Sequence, residues 1–285
     1  MKIGNLNGRL VVVSGDRAID VETASEGLYS SDPQAVYDRW ASFVEWAGEI
    51  GEDGVPFDES ELGAPVPRPR QVFAIGLNYR EHAKESNFDL PEDPVVFTKF
   101  PSSITGPRST VELPTGTVDW EIELVAVIGA PAHHVAVEDA WDHVAGLTVG
   151  QDLSERVVQR RGPAPQFSLG KSFPGFAPIG PFVVTPDEFE DRDAIPLTST
   201  LETDGKVEVL QDGTTADLIF SVPELISRLS AVVTLFPGDI LFTGTPSGVG
   251  IGSTPPRYLA PGQTLTSTIP GIGSLVNPLV GRSSS

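Results

Sequence analysis

Three acids stand at alternate positions in the run VDWEIELVAVIG (118–129): Asp119, Glu121 and Glu123. The alternation of apolar residues reads as a β-strand, on which side chains at i and i+2 share a face roughly 6.5 Å apart. Val125 and Val127 continue that face, and both are core residues by type. Carboxylates at the margin of a core need neutralising, and a hard divalent cation does this with oxygen ligands alone. An edge strand with a wet face is the competing reading. A third acid comes from LTVGQDLSERVVQR (147–160), where a short strand runs into Asp152 and a helix follows. Asp152 with Glu155 spells a D-x-x-E capping box, so Asp152 reads either as a helix cap or as the closing ligand of an all-oxygen site. In that helix Arg156 and Gln159 share a face, three residues apart.

Upstream, AIGLNYREHAKES (74–86) is a strand end followed by His82 and Glu85 at i, i+3. On a short helix the carboxylate can orient the imidazole and raise its basicity, as a general base requires; a surface pair is the plainer reading. His133, His134 and His143 are not at zinc spacing and read as surface or structural. The run SLGKSF (168–173) lacks the first glycine of a phosphate-binding loop, since position 165 is Pro165. The glycine-rich GTPSGVGIG (244–252) leads into TPPR and not into a helix, so it is no dinucleotide fingerprint.

These groups need elements to hold them. Residues 9–13 and 17–21 form a hairpin pattern across Ser14, Gly15 and Asp16. Asp32 and Pro33 open a helix with an apolar stripe at Val36, Trp40, Phe43, Val44 and Ala47. The stretch 51–70 is rich in Gly, Pro and charge and reads as a linker. The expectation is therefore a small N-terminal domain over 1–65, hairpin plus helix, and a main domain over 70–285. In the latter, short Val/Ile/Phe/Thr runs dominate and helices are expected only near 80–86, 153–161, 187–191 and 222–231. That pattern is β-rich α+β, not a doubly wound sheet.

With 39 acids against 19 bases the net charge is −20, which disfavours nucleic acid as a partner. The absence of cysteine excludes disulfides and thiolate chemistry. No apolar run approaches 18 residues and the first residues lack a signal-peptide pattern, so the expectation is a cytoplasmic protein with no membrane partner.

Five runs occur in order: NYREHAKE (78–85), DWEIE (119–123), QDLSERVVQ (151–159), FSLGKSF (167–173) with PIGP (178–181), and FPGDILFTGTPSG (236–248). Together they resemble the fumarylacetoacetate hydrolase family, over about residues 70–280. The resemblance implies a β-rich catalytic domain of mixed sheets in a roll, in a homodimer. It implies Mg²⁺ or Mn²⁺ (Ca²⁺ in some members) held by Glu121, Glu123 and Asp152, with Asp119 not a ligand. By the same resemblance His82 and Glu85 match a catalytic dyad on a mobile lid. Lys171 matches the lysine beside the substrate's developing negative charge, Arg156 and Gln159 match pocket-lining groups, and Thr245 matches a substrate-side threonine. The smaller N-terminal part departs from the long eukaryotic hydrolases.

The chemistry so implied is cleavage of the C3–C4 bond of a 2,4-dioxo acid through an enolate that the cation stabilises. His82, oriented by Glu85, would deprotonate a water that attacks C4. The same enolate arises when an oxaloacetate-type acid is decarboxylated or a 2-hydroxy-dienoate is isomerised. Retention of both His82 and Glu85 leans toward hydrolysis, because decarboxylation needs no nucleophile. A catalytically idle binding protein is the remaining alternative, and the intact set of candidate residues argues against it.

Overall fold

A computed structural model of the chain describes residues 1–51, 54–80, 91–114 and 116–282. His82 and Glu85, and most of the helix expected over 80–86, lie outside the described residues.

The architecture is the expected β-rich α+β. The larger sheet has twelve strands, and its central path runs Lys2–Leu6, Ala177–Val184, Val144–Gln151, Ile122–Ile128, Ile240–Phe242, Val72–Gly76, Val95–Thr98. A second sheet orders Lys206–Thr214, Pro196–Thr203, Thr264–Ile269, Gly273–Gly281 and Val111–Leu113. The hairpin forms as Arg9–Ser14 with Arg17–Asp20, and Lys2–Leu6 pairs with both Arg9–Ser14 and Ala177–Val184. The N-terminal part over 1–65 thus continues the main sheet edge to edge.

The N-terminal helix begins differently from its sequence pattern. A 3₁₀ turn, Ala35–Arg39, precedes the α-helix Trp40–Ala47, and Asp32 accepts from the Gln34 amide at 3.0 Å instead of capping the α-helix. Val36 and Phe43 are buried, but Val44 points outward. The register of the apolar stripe shifts where the 3₁₀ turn gives way to 3.6-residue periodicity.

Ile122–Ile128 is buried along its whole length. Ile122, Leu124, Ala126 and Ile128 pack into one core, Val125 and Val127 into another. A strand between two cores has no wet face, so the edge-strand reading of its acids fails. The expected single strand is also broken. Val118–Asp119 pairs with Ser154–Glu155, and Trp120 and Glu121 bridge the gap before Ile122.

Candidate active site

Register brings the acids together. Ile122 lies opposite Gln151 in the antiparallel pairing of Ile122–Ile128 with Val144–Gln151. Glu121 and Asp152 therefore flank the same end of that pairing, and the Asp152 amide donates to the Glu121 carbonyl at 2.9 Å. Glu123 is two residues further in, opposite Gly150. A Cβ at Gly150 would come within 2.5 Å of Val125 Cγ2 and 2.6 Å of Phe242 Cε1, so only glycine fits there. Ligand-capable oxygens of Glu121, Glu123 and Asp152 all lie within 4.8 Å of one another, and all three residues are buried. The capping role weighed for Asp152 belongs elsewhere. Glu155 itself caps the short helix Arg156–Gln159, accepting from the Val157 and Val158 amides.

Cations surround this cluster. Lys171, at the end of the 3₁₀ turn Phe167–Lys171, donates to Glu121 Oε2 and Asp152 Oδ2, each at 2.6 Å. Burial pulls its pKa down, but Asp152 and Glu121 outweigh that and the net direction is up, so the ammonium stays charged. Its Nζ also stands 4.9 Å from the centre of the Phe97 ring. Arg156 forks onto Asp119 Oδ2 through Nε (2.9 Å) and a terminal nitrogen (2.7 Å), pairs with Glu121 Oε1 at 2.7 Å, and donates to Gln159 Oε1 at 3.0 Å.

Asp119 is outside the three-acid group. Besides Arg156 it accepts from the amides of Trp120, Gly250 and Ile251, which makes it a structural anchor. Glu123 accepts from the Gly244 amide at 2.6 Å. Gly244 sits at φ +103°, and a Cβ there would meet the Asn78 Cβ at 2.8 Å. Thr245 donates to the Ile122 carbonyl at 2.8 Å and accepts from Gln211 Nε2 at 2.8 Å, so its hydroxyl helps hold the acidic strand.

Sequence reasoning missed Lys99 and Gln211. Lys99 is wholly buried, donates to Asp152 Oδ1 at 2.5 Å and donates to the Lys171 carbonyl. Burial drives its pKa down, only partly offset by Asp152. A lysine just past a strand reads as exposed, and only the pairing partner across 53 residues reveals otherwise. Gln211 accepts from the Ile122 amide at 3.1 Å.

A cavity of about 790 Å³ opens onto the cluster, lined among others by Glu121, Lys171, Arg156, Gln159, Arg160 and Thr245. Ile75, Leu77, Phe97 and Phe167 give it apolar walls, and the rings of Phe97 and Phe167 meet edge-on with centroids 5.7 Å apart. The donor set fits a hard divalent cation. Burial, then the charges of Asp152 and Glu121, push the Glu123 pKa well above the ordinary carboxylate range. Oxygen-only donors at this separation suit Mg²⁺ or Mn²⁺.

Fold and site define a buried-carboxylate, cation-binding enzyme class on mixed β-sheets. Residues 71–280 match the family model described as fumarylacetoacetate (FAA) hydrolase C-terminal, and the chain belongs to that family. It is 41% identical over 228 residues, 79% of this chain and 71% of the relative, to the human mitochondrial oxaloacetate tautomerase FAHD2A. The Bacillus subtilis oxaloacetate tautomerase YisK is 36% identical over 301 residues, 97% of this chain and 98% of the relative. Among solved structures, a candidate HpcE protein from Mycobacterium smegmatis superposes with a TM-score of 0.93 at 50% identity, covering 99% of this chain and 100% of that one. The maleylpyruvate hydrolase of Sphingobium sp. SYK-6, in complex with manganese(II) and pyruvate, superposes at 0.81 with 28% identity, covering 99% and 100%. No described helix is long and apolar enough to cross a membrane.

Proposed function

We propose that this protein interconverts the enol and keto forms of an oxaloacetate-type 2-oxo acid, with a divalent cation as cofactor. The observation that carries the reading is the buried Glu121, Glu123 and Asp152 set, whose member Glu121 lines one cavity together with Lys171. The two relatives named oxaloacetate tautomerases move the preference from hydrolysis, the leading expectation from sequence, to tautomerisation.

The three carboxylates would hold Mg²⁺ or Mn²⁺, which when bound supplies Lewis-acid polarisation of the substrate's 2-oxo oxygen. Lys171 faces the cavity with its charge maintained by two carboxylates, and stabilises negative charge on a substrate oxygen. Arg156, locked by Asp119 and Gln159, fixes Glu121 in place. Phe97 and Phe167 keep water from that wall. Ketonisation adds a proton at C3 and removes one from the 2-hydroxyl. His82 with Glu85 is the pair we assign to that transfer. We also assign the chain a homodimeric assembly, on family grounds.

Hydrolysis of 2,4-dioxo acids is the second reading. It is favoured by the manganese and pyruvate held in the structurally similar maleylpyruvate hydrolase, and by the same His82 and Glu85 pair. A panel assay separates the readings. Freshly dissolved enol-oxaloacetate is followed by loss of its ultraviolet absorbance with Mg²⁺ or Mn²⁺, with CO₂ measured in parallel. Acetylpyruvate and fumarylpyruvate are assayed for pyruvate. Faster ketonisation without CO₂ supports the tautomerase, pyruvate from a dioxo acid supports the hydrolase, and CO₂ alone moves the protein to decarboxylation. Silence on the whole panel, with no cation taken up, returns it to the idle binding class.

A further inference from the structure

Among the described residues three cations line the cavity: Arg156, Lys171 and Arg160. The first two are saturated, Arg156 by Asp119 and Glu121 and Lys171 by Glu121 and Asp152. Arg160 is not. It follows the last turn of the helix Arg156–Gln159 and is exposed; its backbone N–H donates to the Val158 carbonyl, but its guanidinium has no carboxylate or hydrogen-bonding partner among the described residues. In a chain with twice as many acids as bases, the exposed Arg9, Arg68, Arg228 and Arg257 each engage a carboxylate, and the exposed Arg161, which also lacks one among the described residues, is not on the cavity wall. An unmatched guanidinium on the wall of the candidate site has no structural work to account for it.

The rest of the cavity says what it could receive. Glu121 and Lys171 line it beside the carboxylate cluster, Ile75, Leu77, Phe97 and Phe167 are apolar, and the Ser253 and Thr254 hydroxyls on the wall make no hydrogen bond among the described residues. A ligand anchored by a 2-oxo acid group at the cluster would run past apolar wall. A second carboxylate on it would match an arginine fork. Arg160 also offsets locally the repulsion that a net charge of −20 exerts on an incoming anion.

We propose that Arg160 receives the far carboxylate of a dicarboxylic 2-oxo acid and so selects dicarboxylates over monocarboxylates. This rests on the functional reading above, which sets the 2-oxo acid end at the Glu121, Glu123 and Asp152 cluster. The test is calorimetric titration of the Mg²⁺-loaded protein with 2-oxoadipate and 2-oxohexanoate, six-carbon acids that differ by the far carboxylate. In R160Q the affinity for 2-oxoadipate falls on the order of tenfold while that for 2-oxohexanoate is unchanged; R160K recovers part of the loss. Oxaloacetate turnover by R160Q shows KM raised by a similar factor with kcat nearly kept. Equal losses for both acids, or none for either, overturn the role of Arg160 and leave the functional reading standing. A wild-type protein that binds neither acid overturns that reading, and the assignment of Arg160 with it.

Discussion

Lys99 and Lys171 share one carboxylate: the first donates to Asp152 Oδ1 at 2.5 Å, the second to Asp152 Oδ2 at 2.6 Å, and Lys99 also donates to the Lys171 carbonyl. Lys99 is sealed from solvent, whereas Lys171 lines the cavity. One lysine builds the site and the other is placed to work in it.

Lys99→Met is therefore expected to cost about 3 kcal/mol, because it strips a buried carboxylate of one cation. Urea unfolding measures the loss. Divalent-cation affinity should fall with it, since Asp152 loses a constraint on its orientation; an unchanged cation titration in a folded variant would disconnect Lys99 from the site.

Glu123→Gln should separate folding from cation binding. The substitution replaces a buried carboxyl that can ionise with a neutral amide, so the cation-free variant should be at least as stable as wild type. Saturating Mg²⁺ at a hundred times the wild-type Kd should stabilise wild type by about 2.7 kcal/mol and the variant by far less. Melting curves with and without Mg²⁺ read this directly.

The direction of the Glu123 shift gives a pH dependence. Its folded pKa lies above the unfolded value, chiefly from burial and then from Asp152 and Glu121. The folded state thus holds the proton more tightly, and the unfolding free energy of the cation-free protein falls as pH rises from the ordinary carboxylate range through the raised value, then levels off. Cation binding displaces that proton, so affinity rises over the same window. Stability of Glu123→Gln should lack this slope, which denaturant titration at several pH values would detect.

Gly150→Ala tests the packing that keeps Glu123 beside its neighbours. The added methyl meets Val125 and Phe242 at under 3 Å, and we expect about 1–3 kcal/mol of destabilisation by thermal unfolding. A neutral outcome would mean the two strands can separate without disturbing the acids.

His82→Ala should slow turnover strongly while leaving cation affinity intact, the outcome expected of the proton-transfer role proposed for it. Loss of cation binding in this variant would move His82 into the coordination set.

Much of the candidate acid set was legible in the chain. Alternation set Glu121 and Glu123 two apart on one face, and the order of the five runs carried the family. The β-rich class followed from short apolar runs between many glycines and prolines. Non-local pairing supplied the rest. Asp152 reads as either a helix cap or a site acid until antiparallel register sets it beside Glu121 and leaves the capping to Glu155. Asp119, the apparent first member of an acidic face, is turned by the break at Trp120 and Glu121 to hold Arg156 and two amides of a distant loop. Lys99 and Arg160 look alike in sequence, both basic residues just past a regular element. Burial against Asp152 makes one a structural cation, and a guanidinium with no partner among the described residues, beside the cavity, makes the other available to a ligand. Local periodicity fixes which face a residue is on, but its charge partner is set by what the fold brings opposite that face.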